Sequence, residues 1–268
     1  MANKVSSSSK LSSVFAAIVI PATIVVAVLL FFFVLGSPSN FEGGDVEKGH
    51  PLNTLGTVYK GGMIVPILMS FFMMVLIFSI ERFITIKKAY GKGSLDKFVI
   101  KIKSLLEAKD LDAAFNECDK QKGAVGNVVY SVLSKYEHLV TEPGMNKDQK
   151  VVALQKELEE ATSLELPMLE KNLTIIATLA SIATLVGLIG TVLGMIKSFS
   201  GMAADGGGDS AVIALGISEA LINTALGITT STLSIIAYNY FTSEIDTLTY
   251  SIDESGYSIT QNFSATQS

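Results

Sequence analysis

Apolar residues run in four long blocks, at 14–35, 62–80, 173–196 and 211–241. A helix needs about 20 such residues to cross a bilayer, and each block is of that order or longer. The first block carries no charge. The second stops at the Glu81-Arg82 pair and the third at Lys197, while the fourth is interrupted once, by Glu219. Between the second and third blocks the pattern changes to amphipathic helices. Phe98, Ile102, Leu105 and Leu106 recur at helical spacing after Ser94, a candidate N-cap. A second helix is predicted over 111–120 with Asp110 as its cap, and a third over 125–139. Glu142-Pro143-Gly144 marks a turn. From Lys147 a long helix begins, carrying Val151, Leu154, Leu158, Ala161 and Leu164. It is expected to run past Pro167, with a bend or a restart there, into the third block.

The predicted fold is an all-α membrane protein with four transmembrane helices, the long third and fourth extending into a cytoplasmic helical domain. Its expected segments are an extra N-terminal span (1–36), a periplasmic segment (37–61), a span (62–86), a cytoplasmic helical region (87–171), a span (172–199), a periplasmic loop (200–210), a span (211–245) and a flexible cytoplasmic tail (246–268). Gly206-Gly207-Gly208 in the loop reads as a tight hairpin. The tail is rich in Ser, Thr and Gln, a composition that buries little.

Composition supports a lipid setting. The chain is 49% hydrophobic and 17% charged, against roughly a quarter charged in soluble domains. The net charge of −5 argues against a nucleic-acid partner, and the single cysteine, Cys118, cannot form an internal disulfide. Placement of Lys and Arg sets orientation. Arg82, Lys87, Lys88, Lys92, Lys97, Lys101 and Lys103 cluster after the second block, and Lys171 precedes the third. The segment before the second block holds only Lys48 and Lys60, and 200–210 holds no Lys or Arg. The positive-inside rule then puts 87–171 and the N-terminus, with Lys4 and Lys10, in the cytoplasm. A second reading makes the first block a cleaved signal peptide. Its core exceeds the usual span of about 7–15 residues and no A-x-A site follows; the rest of the topology is the same either way.

Glu219 is the residue in the spans that costs most. It lies roughly 12 Å into the fourth block at 1.5 Å per residue, where an acid costs a few kcal/mol on insertion scales. With no Lys or Arg inside any of the four apolar blocks, it is expected to be protonated or to face a wet interior. Glu219, Asn223, Leu226, Thr230 and Ser234 fall on one narrow helical stripe, with Thr224 and Ser231 beside it. Single hydroxyls can satisfy themselves on their own helix; their density around an acid points to an ion path. In the third block Ala183, Gly187, Gly190, Thr191 and Gly194 set small residues at three- and four-residue spacing, which lets helix backbones approach closely. Thr191 could face the same interior as Thr224.

Other chemistry is poorly supported. His50 and His138 lie outside the blocks, so no serine–histidine pair or zinc site can form within the membrane. Gly206-Gly207-Gly208-Asp209 matches a G-x-G-D string of intramembrane aspartyl proteases but lies in a loop, without a second intramembrane Asp. There is no Walker motif, HExxH or Cys cluster. Cys118 reads as a packed small residue, and Glu81 and Arg82 as a pair or an anchor at the end of the second span. No catalytic residue, metal or cofactor is expected, and an intramembrane enzyme is disfavoured.

Two strings carry a family resemblance. Gly187-Leu188-Ile189-Gly190-Thr191-Val192-Leu193-Gly194-Met195-Ile196, followed by Phe199, is similar to G-L-x-G-T-V-x-G-M-I-x-x-F of the MotA/TolQ/ExbB proton-channel proteins. Gly216-Ile217-Ser218-Glu219-Ala220-Leu221-Ile222-Asn223-Thr224-Ala225-Leu226-Gly227, closed by Tyr238-Asn239-Tyr240-Phe241, resembles their G-I-S-E-A-L-x-x-T-A-x-G. Leu166-Pro167-Met168-Leu169-Glu170-Lys171-Asn172-Leu173 looks like their L-P-x-L-E-K-x-L lead-in. The likeness covers about residues 60–245 and is closest to ExbB. Two family prolines are missing: Thr184 follows Ala183, and Ser231-Thr232-Leu233-Ser234 stands where A-I-P-A is common. The first span is extra to the usual three-span plan and is expected on the outside of an assembly.

The resemblance implies a bacterial inner-membrane, multi-pass subunit that conducts protons. It implies a homopentamer around two single-span ExbD-like subunits, working with a TonB-like protein to power outer-membrane nutrient import. The family's pore-lining Glu and two Thr match Glu219, Thr224 and Thr191; Asn223, Thr230, Ser231 and Ser234 are expected as a secondary lining. Alternatives are a TolQ- or MotA-like stator for envelope constriction or motility, or a structural tetraspan scaffold.

Overall fold

The computed structural model describes residues 2–47, 49–204 and 210–266. Most of them are helical, and four helices are long and apolar enough to cross a membrane. Among the described residues there is no strand, only an isolated antiparallel bridge between Phe41 and Pro51. The chain divides into two compact units, Met1–Ile80 with Asn172–Tyr238 and Glu81–Lys171 with Asn239–Ser268. The expected Gly206–Gly208 hairpin, Lys48 and the last two residues of the tail lie outside the described residues.

The first unit begins with α1 (Ala2–Leu30), which ends in a π-turn over Phe31–Leu35. The segment expected only as a periplasmic connection is folded. It contains two 3-10 turns and α2 (Thr54–Tyr59), followed by a 3-10 turn over Gly62–Ile64 that opens α3 (Val65–Ala89). Asn40 organises it by donating from Nδ2 to the carbonyls of Val34 at 2.7 Å and Leu35 at 2.9 Å, which the end of the helix leaves unpaired. Asn53 donates to Asn40 Oδ1 at 3.0 Å and caps α2 by accepting from the Gly56 amide at 2.9 Å. Tyr59 stacks on Phe31 with ring centroids 4.6 Å apart and meets the buried Phe41 edge-on at 5.6 Å. Phe31, Leu35 and Val65 form a buried cluster with Tyr59, Met69, Ile222 and Leu226. The remaining long helices are α8 (Leu173–Ala204) and α9 (Ser210–Thr266), whose residues up to 238 belong to this unit.

The second unit holds α4 (Leu95–Glu107), α5 (Leu111–Gln121), α6 (Gly123–Thr141) and α7 (Lys147–Glu170), with the end of α3 and the last part of α9. The predicted helices stand where the apolar spacing puts them, within a few residues. Asp110 caps α5 by accepting from the Ala113 amide at 3.0 Å. Ser94 occupies the N-cap position of α4 without making a capping bond. Asn146 and Gln149 form a reciprocal capping box at the start of α7. That helix passes Pro167 unbroken and ends at Glu170; Asn172 takes a left-handed conformation (φ 66°), and α8 starts at Leu173. The restart therefore comes after Pro167, not at it.

Arg82, only 2% exposed, joins α3 to the end of α7. It donates to Glu81 Oε2 at 2.7 Å and to the carbonyls of Met168 and Leu169 at 3.1 and 3.0 Å. A guanidinium suits this work because its donors are fixed in a fork and it stays charged when buried. Tyr90 donates to the Glu244 carbonyl at 3.4 Å, and burial pushes its phenol up to about 12.

The tail expected to be flexible is helix through Thr266. Leu248, Ile252, Ile259 and Phe263 recur at helical spacing and are fully buried. The hydroxyls between them turn back onto their own helix, as Ser251 does to Thr247 O and Ser255 to Ser251 O. Tyr136 closes the contact, meeting the Phe263 ring edge-on at 4.8 Å and donating to Asn262 Oδ1 at 3.2 Å. Replacing Phe263 with Ala is expected to cost about 3–5 kcal/mol, the range for emptying a buried aromatic site. Cys118, buried in the same unit with its thiol pushed up to about 12 by desolvation, supplies the readout. It should alkylate slowly in the intact protein, and at markedly lower denaturant concentration in Phe263→Ala.

Candidate functional site

The site is set by how closely α8 and α9 pack. A Cβ placed on Gly194 would lie 2.6 Å from the Gly216 carbonyl oxygen and 2.8 Å from the Ala220 nitrogen. One on Gly187 would lie 2.9 Å from Asn223 O, and one on Gly227 2.6 Å from Ala183 O. These are backbone-to-backbone approaches that only glycine allows. Ser198 ties the same end together, donating to Gly194 O at 3.2 Å and Ile213 O at 3.0 Å. The close packing read from the small-residue spacing is therefore the observed interface.

Thr191 and Thr224 meet across that interface, hydroxyl to hydroxyl. Each also reaches a helix carbonyl, Thr191 to Gly187 O at 3.3 Å and Thr224 to Ala220 O at 3.2 Å. Both are partly exposed. Farther along the pair stands Glu219, its side chain 14% exposed. It is paired: Lys197 Nζ donates to Glu219 Oε2 at 2.8 Å. The expectation of an acid with no cationic partner is corrected here. Lys197 ends the apolar block of α8, and the antiparallel packing brings its flexible stem alongside α9. Lys197 lies six residues beyond Thr191 on α8 and Glu219 five residues back from Thr224 on α9, a one-residue difference that the long lysine stem spans, so the register implied by the threonine pair could have located it.

Two further residues escaped the sequence reading. Gly62, at φ +77°, presses its bare Cα against the Glu219 carboxylate, where a Cβ would collide with Oε1. Gly61 offers its carbonyl to Asn223 Nδ2 at 2.9 Å. The turn that opens α3 is thus fitted to α9 at the level of the acid. Lys60, next in the chain, is engaged elsewhere: it donates to Val46 O at 3.0 Å and Glu47 O at 2.8 Å, and desolvation lowers its pKa.

Asn223, Thr230, Ser231 and Ser234 are buried within the chain's own helix packing. Ser231 donates to Ala180 O on α8, and Ser234 to Thr230 O at 2.9 Å. Asn223 is fully enclosed, its Oδ1 without a hydrogen-bond partner. In the single chain Asn223 and Ser231 reach other segments, at Gly61 O and Ala180 O, while Ser234 bonds its own helix, and the polar groups left accessible along α8 and α9 include Glu219, Thr191 and Thr224. Among the described residues no cluster of three or more His, Cys, Asp or Glu could hold a metal.

The fold and site define a multi-spanning helical membrane protein with an acid and a hydroxyl pair on closely packed helices. The MotA/TolQ/ExbB proton channel family matches residues 121–254, and the chain belongs to that family. It is 31% identical over 158 residues to the "Tol-Pal system protein TolQ" of Pseudomonas aeruginosa, covering 59% of this chain and 68% of that one. It is 45% identical over 80 residues to the "Biopolymer transport protein ExbB" of Helicobacter pylori, covering 30% and 55% of the two chains. The ExbB of Salmonella typhimurium is 41% identical over 70 residues, covering 26% and 29%. The matches thus span about two thirds of the TolQ protein, and 55% and 29% of the two ExbB proteins.

Gly62→Ala tests the fit at the acid. The substitution forces a left-handed backbone on a residue with a Cβ and aims that Cβ at Glu219. It is expected to destabilise the protein by about 1–3 kcal/mol, read as a lower thermal-unfolding midpoint of the purified chain. Gly144→Ala, where a Cβ meets nothing, should leave the midpoint unchanged.

Proposed function

We propose that the protein is the proton-conducting subunit of a TonB-type energy-transducing complex in a bacterial inner membrane. In this reading it uses the proton motive force to power outer-membrane nutrient import. The single observation that carries it is the partly accessible Glu219 beside the Thr191–Thr224 pair, within the segment matched to a proton-channel family. A carboxyl and paired hydroxyls on rigid helices can pass a proton by short hops, and an ionisable group inside a span is by default functional. The path runs through Glu219, Thr224 and Thr191. The subunit assembles as a homopentamer around single-span ExbD-like chains and engages a TonB-like protein. The N-terminus and 87–171 face the cytoplasm, following the distribution of Lys and Arg.

A second reading, a TolQ-like role in envelope constriction, draws on the longest of the reported alignments, which is to TolQ. The two separate by phenotype. In cells lacking the native gene and supplied with Glu219→Gln at normal membrane levels, proton-gradient-dependent iron-chelate uptake should fall about 100-fold, the scale of losing one proton-transfer group. Normal uptake by the assembled mutant would sink the channel reading. Intact uptake in the gene deletion, with detergent sensitivity and chained cells, would move the protein to the TolQ role.

A further inference from the structure

We infer that Lys197 is a tethered counter-cation that occupies the cation-accepting side of Glu219 and closes the proposed proton path until it is displaced. The inference rests on the channel reading above. Glu219 is enclosed on two sides, by the Cα of Gly62 and by the Lys197 ammonium at 2.8 Å. The two partners differ in freedom. The Glu219 side chain is 14% exposed and that of Lys197 52%. The lysine is the partner that moves, carrying its charge on a flexible four-carbon stem that regains water when it leaves. With its ammonium half exposed, the pair gives a competing cation or a basic group a side from which to take the lysine's place at the carboxylate.

The nearby Lys60 sharpens the assignment. Its ammonium is tied to Val46 O and Glu47 O, with Phe41 beneath it at 5.2 Å, so it does not compete for Glu219. Lys60 and Lys197 are near enough for their like charges to repel. Lys197 stands in the family string at one of the two unspecified positions between Ile196 and Phe199. The closure is thus a property of this chain's own residue at a place where the motif asks for nothing.

The contact and its consequence are tested separately on the full chain in liposomes. A water-soluble carbodiimide activates the Glu219 carboxyl, and the Lys197 amine displaces the urea to leave an amide. Peptide mapping should find the 197–219 link, one water lighter than the two peptides; its absence, with Glu219 found modified by the reagent alone, overturns the pairing. Proton entry under an imposed potential is then followed with a trapped pH dye. Lys197→Gln should leak at least about tenfold faster than the unaltered chain, while Lys197→Arg, which keeps the charge, should stay closed. The double variant Lys197→Gln/Glu219→Gln should lose the excess leak. A tight Lys197→Gln, or a double variant that still leaks, overturns the closure. Failure of the channel reading is read elsewhere, in normal nutrient uptake by Glu219→Gln, so the two can fall independently.

Discussion

The contact on which the site depends is the glycine-to-backbone approach of α8 and α9. Lipid gives apolar side chains no reason to prefer each other, so helices in a membrane associate through close van der Waals packing and polar bonds. Gly187, Gly194, Gly216 and Gly227 supply the first; Ser198 and Ser231 supply the second. Once backbones are this near, the register is fixed, because any slip would drive a side chain into a carbonyl. Thr191 then has to meet Thr224, and Lys197 has to lie beside Glu219. The candidate site groups are placed by residues whose observed part is packing.

The same constraint explains how a carboxylate is tolerated at this depth. An acid in a span is expensive when unpaired. Here it is served by an ammonium from the neighbouring helix, while the missing side chain of Gly62 leaves room for the carboxylate. The turn before α3 adds support below it, through the bond from Asn223 to the Gly61 carbonyl. That turn is in turn braced by the folded segment around Asn40, Phe41 and Tyr59. What reads as a loop between two spans is therefore part of the acid's surroundings.

The four spans were legible from the length of their apolar runs, and the helices of the polar region and the α8–α9 packing from residue spacing, all of which one sequence displays directly. Glu219 was legible because its burial costs free energy. The partner Lys197 was not, since a charge that ends an apolar block looks like an ordinary membrane boundary until the antiparallel register is known. Gly62 was hidden for a similar reason: its meaning lies in a residue far along the chain. The helical tail was misread from composition. Its Ser and Thr suggested a solvated segment, yet they bond their own backbone while Leu248, Ile252, Ile259 and Phe263 carry the packing.

The stretch from Ser231 to Ser234 shows what replaces a proline in this setting. The family pattern places a proline there, which removes an amide donor and frees a carbonyl within the helix. In this chain α9 continues through the stretch as regular helix. Of the hydroxyls in this stretch, Thr232 is exposed and bonds Ile228 O on its own helix at 2.9 Å, while the two serines are buried. Ser231 reaches across to Ala180 O, and Ser234 turns back to Thr230 O. One serine holds α8 against α9 and the other satisfies itself, so this stretch contributes a cross-link within a regular helix. With both helices held at Ala180–Ser231 and again at Gly194–Ala220, the polar groups between those points sit in a fixed frame. Just beyond it, past the Gly194–Ala220 contact, the half-exposed ammonium of Lys197 is the part with room to move.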